Sequence, residues 1–336
     1  MRRTTFRGAK RATLLASTLA LTVLAATACA STPGDSSSEG SIGKITLASS
    51  ITGSSFLAVT AGMDQEIFEK HGLEIELVKV KSSAEAAAAV ASGQADLAAM
   101  LPEGVIAVAS AGSKMRMIGN LLNQVQYRLV TTSEVTSASD LIGKKVGIVG
   151  PGSGEEVLAR AYLDSQGVDP SQVTFVATGT MAAKYAAMTT NQLEGAMLVP
   201  PFDIKAEAAG MRPLSVLGED FPDMPAQVFA SSDKALSSNG DTVKKFMAAA
   251  AESAQWVVAH PEDATKILSE DSQVSMEDAK LSFDRAKSAY SQDSAISREG
   301  LNRWLALSKK YSSLANVPTI DELYDAQYLA GTAARQ

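Results

Sequence analysis

A chain of 336 residues with a formal net charge of −7 and only two histidines lacks the basic footprint that a nucleic-acid partner needs. Its apolar fraction of 46% and charged fraction of 20% exclude a disordered chain and suit a globular one, long enough for one large core or two smaller ones. A single cysteine, Cys29, excludes a disulfide framework.

Arg2, Arg3, Arg7, Lys10 and Arg11 open the chain, and an uncharged, Leu-rich run from Ala12 to Ala28 follows and ends in small residues. Basic, then apolar, then small is the order of an export signal, and the run is too short for a comfortable membrane-spanning helix. Leu24-Ala-Ala-Thr-Ala-Cys29 resembles a bacterial lipobox. That resemblance implies cleavage before Cys29 and a lipid on its sulfur. Ala26 stands where a lipobox usually carries Leu, and the alternative is an ordinary signal cut near Ala28–Cys29 or Ala30–Ser31. Removal of residues 1–28, with five basic and no acidic side chains, takes the net charge from −7 to −12. Residues 29–43 hold almost nothing that could be buried and read as a flexible tether with a reach of roughly 20 Å.

Beyond the tether, apolar runs alternate with helix-like segments. Ile45-Thr-Leu-Ala-Ser predicts a strand, and a helix is expected from about Ser54 to Lys70. Leu73 to Val80 alternates apolar and polar side chains as a half-buried strand does. An Ala-rich helix, Ser82 to Ser92, leads to a buried strand at Ala95 to Leu101. The pattern then recurs at a spacing of 98 residues, pairing Gly93 with Asn191, Gln94 with Gln192, Asp96 with Glu194 and Pro102 with Pro200. Such strand–helix alternation implies crossover units on mostly parallel sheets, and the repeat implies two similar α/β lobes. Gln124 to Thr131 and Pro225 to Ala230 are extended segments with no helix beside them, as expected of two crossovers between lobes. The predicted division is 44–128 with 227–336 for lobe one and 129–226 for lobe two. The last hundred residues read as helices: Asp241 to His260, Pro261 to Glu270, Met276 to Tyr290, Ser297 to Leu314 and Ile320 to Leu329. These are expected to pack on lobe one.

The most suggestive motif is Val146-Gly-Ile-Val-Gly-Pro-Gly-Ser-Gly-Glu155, which opens like a dinucleotide-binding turn. Glu155 occupies the place of the third glycine, where a carboxylate would crowd and repel a pyrophosphate, and Thr174 to Gly179 supplies no acid for a ribose. No Lys-Ser/Thr follows for a phosphate loop. His71 and His260 each sit alone at a helix end, so no zinc site is supported, and no G-x-S-x-G elbow occurs. Catalytic residues, a cofactor and a metal are therefore not expected. Uncharged polar residues instead recur at the carboxyl ends of predicted strands, where open α/β sheets bind ligands. Ser50, Thr52, Ser54 and Ser55 follow the first strand; Met100, Pro102 and Glu103 close the third. Gln126 and Tyr127 lie at the crossover. Ser153, Gly154, Thr180, Phe202 and Asp203 come from lobe two. All of these are candidate ligand contacts.

Glu66-Ile-Phe-Glu-Lys-His-Gly-Leu-Glu-Ile-Glu-Leu, Ala91-Ser-Gly-Gln-Ala-Asp-Leu-Ala, Asp140-Leu-Ile-Gly-Lys-Lys-Val-Gly-Ile with Gly152-Ser-Gly, and Ser297-Arg-Glu-Gly-Leu carry a family resemblance. From about Gly43 to Leu329 the chain resembles the type 2 periplasmic-binding-protein fold, in its sulfonate, nitrate and taurine (NMT1/THI5-like) group. The resemblance implies a monomeric solute receptor that closes two lobes on a small ligand and delivers it to an ABC permease and its ATPase. It also implies an extracytoplasmic location, with a lipid on Cys29 as the membrane anchor. Helix N-termini would favour a sulfonate or carboxylate, whereas Glu103, Glu155 and Asp203 would favour an amino-bearing heterocycle such as a pyrimidine. The alternatives are a cofactor-binding α/β enzyme that uses the Gly150–Glu155 turn, and a surface receptor that signals without transport.

Overall fold

In a computed structural model the structure describes residues 42–329 and 331. The export segment, Cys29 and nearly all of the tether lie outside the described residues. Among the described residues ten strands form two five-stranded sheets. The first sheet takes β1 (Gly43–Ser49), β2 (Leu73–Lys79), β3 (Leu97–Met100) and β4 (Met115–Leu122). The second takes β5 (Arg128–Thr131), β6 (Lys145–Ile148), β7 (Thr174–Ala177), β8 (Gly195–Leu198) and β9 (Arg212–Val216), and the chain returns to the first through β10 (Gln227–Ser232). The strand orders are β2-β1-β3-β10-β4 and β7-β6-β8-β5-β9. In each sheet the first three strands are parallel, and the fourth, antiparallel strand is the crossover segment arriving from the other lobe. The two-lobed α/β fold is thus present as expected, with each crossover built into the middle of a ladder.

The 98-residue echo has a physical basis. The helix Ser83–Ser92 ends at Gly93 with φ 78°, and the helix Met181–Thr189 is followed by Asn191 with φ 55°. Both backbones are left-handed, which glycine adopts freely and asparagine better than most other residues. Three residues on, Asp96 accepts from the Thr46 N–H at 2.8 Å and returns its own N–H to the Thr46 carbonyl at 2.9 Å. Glu194 does the same with Lys145, at 2.9 and 3.0 Å. The acid in each repeat therefore ties the start of its own strand, β3 or β8, to the neighbouring parallel strand, β1 or β6.

β3 and β8 are buried at every position and are made of residues that are small or unbranched at Cβ, Leu-Ala-Ala-Met and Gly-Ala-Met-Leu, which lets helices pack closely on both faces of each sheet. Ser82, Ser153 and Thr180 cap the helices that follow β2, β6 and β7, each side-chain oxygen accepting the N–H three residues on. Such caps satisfy donors that the first helical turn leaves free.

Several predicted helices are shorter or broken. The segment expected to be helical from Ser54 to Lys70 is a 3₁₀ turn, Gly53–Phe56, then Leu57–Asp64 and Ile67–Lys70, because Glu66 adopts a left-handed φ of 54° between them. The helix expected from Asp241 begins at Asp233 under a Ser232 cap and kinks at Asn239. The last predicted helix stops at Leu323, where Tyr324 pairs with Met117 beside β4. The helices within Asp233–Ala286 pack on the first sheet and its helices, though Met276–Ala286 also touches the second-lobe helix Phe202–Ala208, and Arg298–Tyr311 touches both Pro102–Ser110 and Gly154–Ser165 and so spans the two lobes. Within it Trp304 is fully buried and its indole N–H donates to the Pro225 carbonyl at 2.8 Å, beside the returning crossover.

The left-handed caps give a test. Gly93→Val and Asn191→Val should each lower the unfolding free energy by about 1–2 kcal/mol, while Asn191→Gly should leave it equal or slightly higher. Urea denaturation of the three variants checks this.

Candidate functional site

A cavity of about 640 Å³ lies where the carboxyl ends of the parallel strands from both sheets meet. Ser50, Ile51, Thr52 and Ser55 reach it from the loop after β1, and Val80 to Ala84 from the start of the helix after β2. Leu101, Glu103 and Val108 come from the end of β3 and its helix. Tyr127 and Gln227 sit on the two crossover segments. The second lobe adds Val149 to Ser153, Glu155, Gly179 to Ala182, Lys184, Val199 and Phe202. Each group lies just past the end of a strand because the helices, capped at Ser82, Ser153 and Thr180, start there.

Of the residues predicted to contact ligand, Ser50, Thr52, Ser55, Glu103, Tyr127, Ser153, Thr180 and Phe202 line this cavity. Six others do not. Ser54 is buried, and its carbonyl accepts from the Tyr290 hydroxyl at 2.8 Å. Met100 is fully buried in the core and Pro102 starts the next helix. Gln126 turns back on the chain and donates to the Gln124 carbonyl at 3.0 Å. Gly154 contributes no wall, yet its lack of a side chain matters: a Cβ there would stand 2.7 Å from Glu103 Oε2.

Asp203 is the clearest correction. It is fully buried away from the cavity, with one oxygen 2.5 Å from Arg285 and 3.2 Å from Arg128. Burial pushes its carboxyl upward, and Arg285 and Arg128 oppose that. Arg285 also holds Glu207 at 2.7 Å. Because Arg285 belongs to the helix Met276–Ala286 and Asp203 to a second-lobe helix, the network ties the C-terminal helices to lobe two.

Reasoning from sequence missed Lys184, whose side chain is wholly buried and reaches Glu155 Oε2 at 2.6 Å. Its only signal was being the sole charge in the helix Met181–Thr189. Burial lowers the Lys184 pKa, and the Glu155 carboxylate works against that shift. Glu155 Oε2 also accepts from the Val149 N–H at 2.8 Å, and Glu156 Oε2 from the Gly152 N–H at 2.7 Å. At the glycine turn that opens like a nucleotide site, the Val149 and Gly152 N–H groups are thus taken up by the chain's own acids. Tyr127 is buried next to Glu155 and Glu103, and burial followed by these two charges holds its hydroxyl well above the ordinary phenol range.

Glu103 differs from the other acids. It is 6% exposed, and its Oε2 has no hydrogen-bond partner of sound geometry. Burial raises its pKa from 4.5 to about 7, against the easing effect of the nearby Gly154 and Gly104 backbone and with a small further push from Glu155. Among the described residues no group of three or more His, Cys, Asp or Glu is placed to hold a metal ion, and no helix is long and apolar enough to cross a membrane.

This architecture is shared with solved structures of the periplasmic-binding-protein fold. The alkanesulfonate-binding protein of Xanthomonas axonopodis pv. citri, bound to MOPS, superposes with a TM-score of 0.72 at 16% identity, over 84% of this chain and 96% of that one. The periplasmic nitrate-binding protein of Synechocystis PCC 6803 gives 0.70 at 17% identity, over 85% and 87%. A Candida albicans gene product described as having the generic periplasmic binding protein fold gives 0.71 at 19%, over 85% and 97%. No curated protein matches the chain in sequence. Residues 54–264 match the family described as NMT1/THI5 like, and the chain belongs to that family.

The unpartnered acid makes a pH prediction. The folded-state pKa of Glu103 lies above that of the unfolded chain, so its contribution to stability is full below about pH 4.5 and is lost as pH rises through about 7. A shift of this size is worth about 3 kcal/mol. Glu103→Gln removes the ionisation, so its unfolding free energy should gain on the wild type by about that amount between about pH 5 and pH 8. A stability difference that stays flat across that range, measured by denaturation at each pH, contradicts the assignment.

Proposed function

We propose that this protein is the extracytoplasmic solute-binding receptor of an ABC importer, closing its two lobes on a small organic ligand and passing it to the permease. The observation that carries the reading is the cavity of about 640 Å³ at facing strand ends, lined from both lobes and from both crossover segments. A cavity of that volume suits a small molecule. Two chain crossings leave the lobes free to rotate about a narrow hinge while the ladders inside each lobe stay intact. Membership of the NMT1/THI5-like family and the likeness to sulfonate- and nitrate-binding proteins support a binder rather than an enzyme.

The membrane anchor belongs to the same proposal. An export segment followed by Cys29 and a polar tether suits a receptor held at the outer face of the membrane by a lipid on that cysteine. Without such a tether, a receptor that lacks an enclosing compartment would diffuse away from its transporter. Residues 44–128 with 227–336, and 129–226, would then be the two bodies that move.

Two measurements test this. A ligand present at 100 times its Kd should stabilise the protein by about 2.7 kcal/mol, read as a rise in melting temperature across a panel of sulfonates, carboxylates, pyrimidines and amines. The same ligand should reduce the radius of gyration in small-angle scattering as the cleft closes. A ligand that stabilises the protein without compacting it, or tight binding of NAD or ATP, would oppose the receptor reading. Mass spectrometry of the mature N-terminus decides the anchor, and an unmodified Cys29 would remove it.

A further inference from the structure

Asp203 and Glu207 stand one turn apart on the second-lobe helix Phe202–Ala208, so their side chains share a face. Arg285 reaches both from the helix Met276–Ala286, with Nη1 2.5 Å from Asp203 Oδ2 and Nη2 2.7 Å from Glu207 Oε2. One planar guanidinium thus bridges two carboxylates, which fixes direction as well as charge. The helix that carries Arg285 packs on Pro261–Ser272 and on the turn Gly53–Phe56. The arginine therefore travels with lobe one and its acids with lobe two, and a rotation between the lobes stretches the fork.

The acids keep support when the fork is lost. Arg128, the first residue of β5, belongs to their own lobe and lies 3.2 Å from Asp203 Oδ2 and 3.9 Å from Glu207 Oε1. The Ile204 N–H donates to Asp203 Oδ1 at 2.8 Å. The Arg285 side chain is 20% exposed and so already borders solvent. Breaking a buried ion pair is costly when it strands a charge. Here parting leaves the acids with an arginine of their own lobe and leaves Arg285 to water. Such a division of partners suits a contact that is made and broken reversibly.

The fork also adjoins the cavity without lining it. Val199 and Phe202 form part of the second-lobe wall, and Asp203 follows Phe202 directly. Facing them, Ser50, Thr52 and Ser55 belong to the loop and turn on which the Arg285 helix packs. The lobes are in close approach here, since a Cβ on Gly53 would stand 3.4 Å from the Pro200 carbonyl. A solute that draws these two walls together brings Asp203 and Glu207 to Arg285.

We propose that Arg285 is a closure latch: its guanidinium engages Asp203 and Glu207 as the lobes meet and leaves them to Arg128 as the lobes part. This rests on the receptor reading and adds to it a residue outside the cavity that sets how readily the cleft opens. The latch favours the closed form only through contacts absent from the open one, as any shift of such a balance requires.

Hydrogen–deuterium exchange of the protein without added solute tests the latch, because backbone groups covered only while the lobes meet exchange at a rate set by the opening equilibrium. Loss of charge-assisted hydrogen bonds should raise that opening about 10- to 100-fold. Arg285→Gln should speed exchange by this factor at residues 53–56 and 199–202. It should do the same at 101–104 and 150–154, where the lobes meet again through Glu103 and the Gly154 backbone. Strands β3 and β8, inside the sheets, should keep their rates. Arg285→Lys retains the charge without the fork and should recover part of the protection. Glu207→Gln should give a smaller rise in the same segments, and it decides the matter if Arg285→Gln fails to fold. A rise confined to Met276–Ala286, a uniform rise that includes β3 and β8, or no change where the lobes meet overturns the inference. Unchanged exchange in a protein that still compacts on a stabilising solute would sink the latch alone and leave the receptor reading standing.

Discussion

The structure depends on how the chain crosses between its lobes. Both crossings run as strands placed fourth in a five-stranded sheet, antiparallel to neighbours on either side. A strand bonded on both edges cannot slip without breaking two ladders at once. The two sheets are thereby locked in matching orders, and their parallel strands point their carboxyl ends at each other. The cleft exists because of that placement, and it is why Tyr127 and Gln227, both close to the crossings, end up in its wall.

Around this frame the acids divide by what surrounds them. Asp96 and Glu194 finish strand starts. Asp203 and Glu207 are held by Arg128 and Arg285, joining lobe two to the C-terminal helices. Glu155 and Glu156 fill the glycine turn, each with a basic partner. A buried pair of this kind contributes little net stability but is costly to break on one side only. Glu103 is buried in the cleft wall with no hydrogen-bond partner at Oε2 and a raised pKa, which makes it a candidate functional position. Its carboxyl reaches across to the Gly154 backbone, so the same residue lines the cavity and touches the opposite lobe.

Much of the architecture could be read from the sequence because its signals are local. The left-handed ends at Gly93 and Asn191 act within a few residues of themselves, and the recurrence of Asp96 as Glu194 marks the repeat even though each acid bonds a strand about 50 residues back. The site was legible only where position along a strand decided the outcome. Ser50, Thr52, Ser153 and Thr180 follow strand ends and line the cavity. Met100 and Pro102 are close neighbours of Glu103, yet side-chain direction alternates along a strand and an error of one residue turns a wall into core. Asp203 was misplaced because its partner Arg285 lies 82 residues away. Lys184 was missed because 29 residues separate it from Glu155, and nothing in an Ala-rich helix announces that its one lysine faces inward.

The Gly150–Gly154 turn shows how a motif can mislead by form alone. Its glycines permit a tight bend before a helix, and its donors would suit phosphate or sulfonate if they were free. The acids that follow decide otherwise. The account therefore stands on where a solute sits. A crystal structure of the protein with a bound, stabilising solute measures this directly. The account predicts density between the strand ends of the two lobes, in contact with residues of both. A solute elsewhere on the surface, with the space between the strand ends left empty, would contradict it.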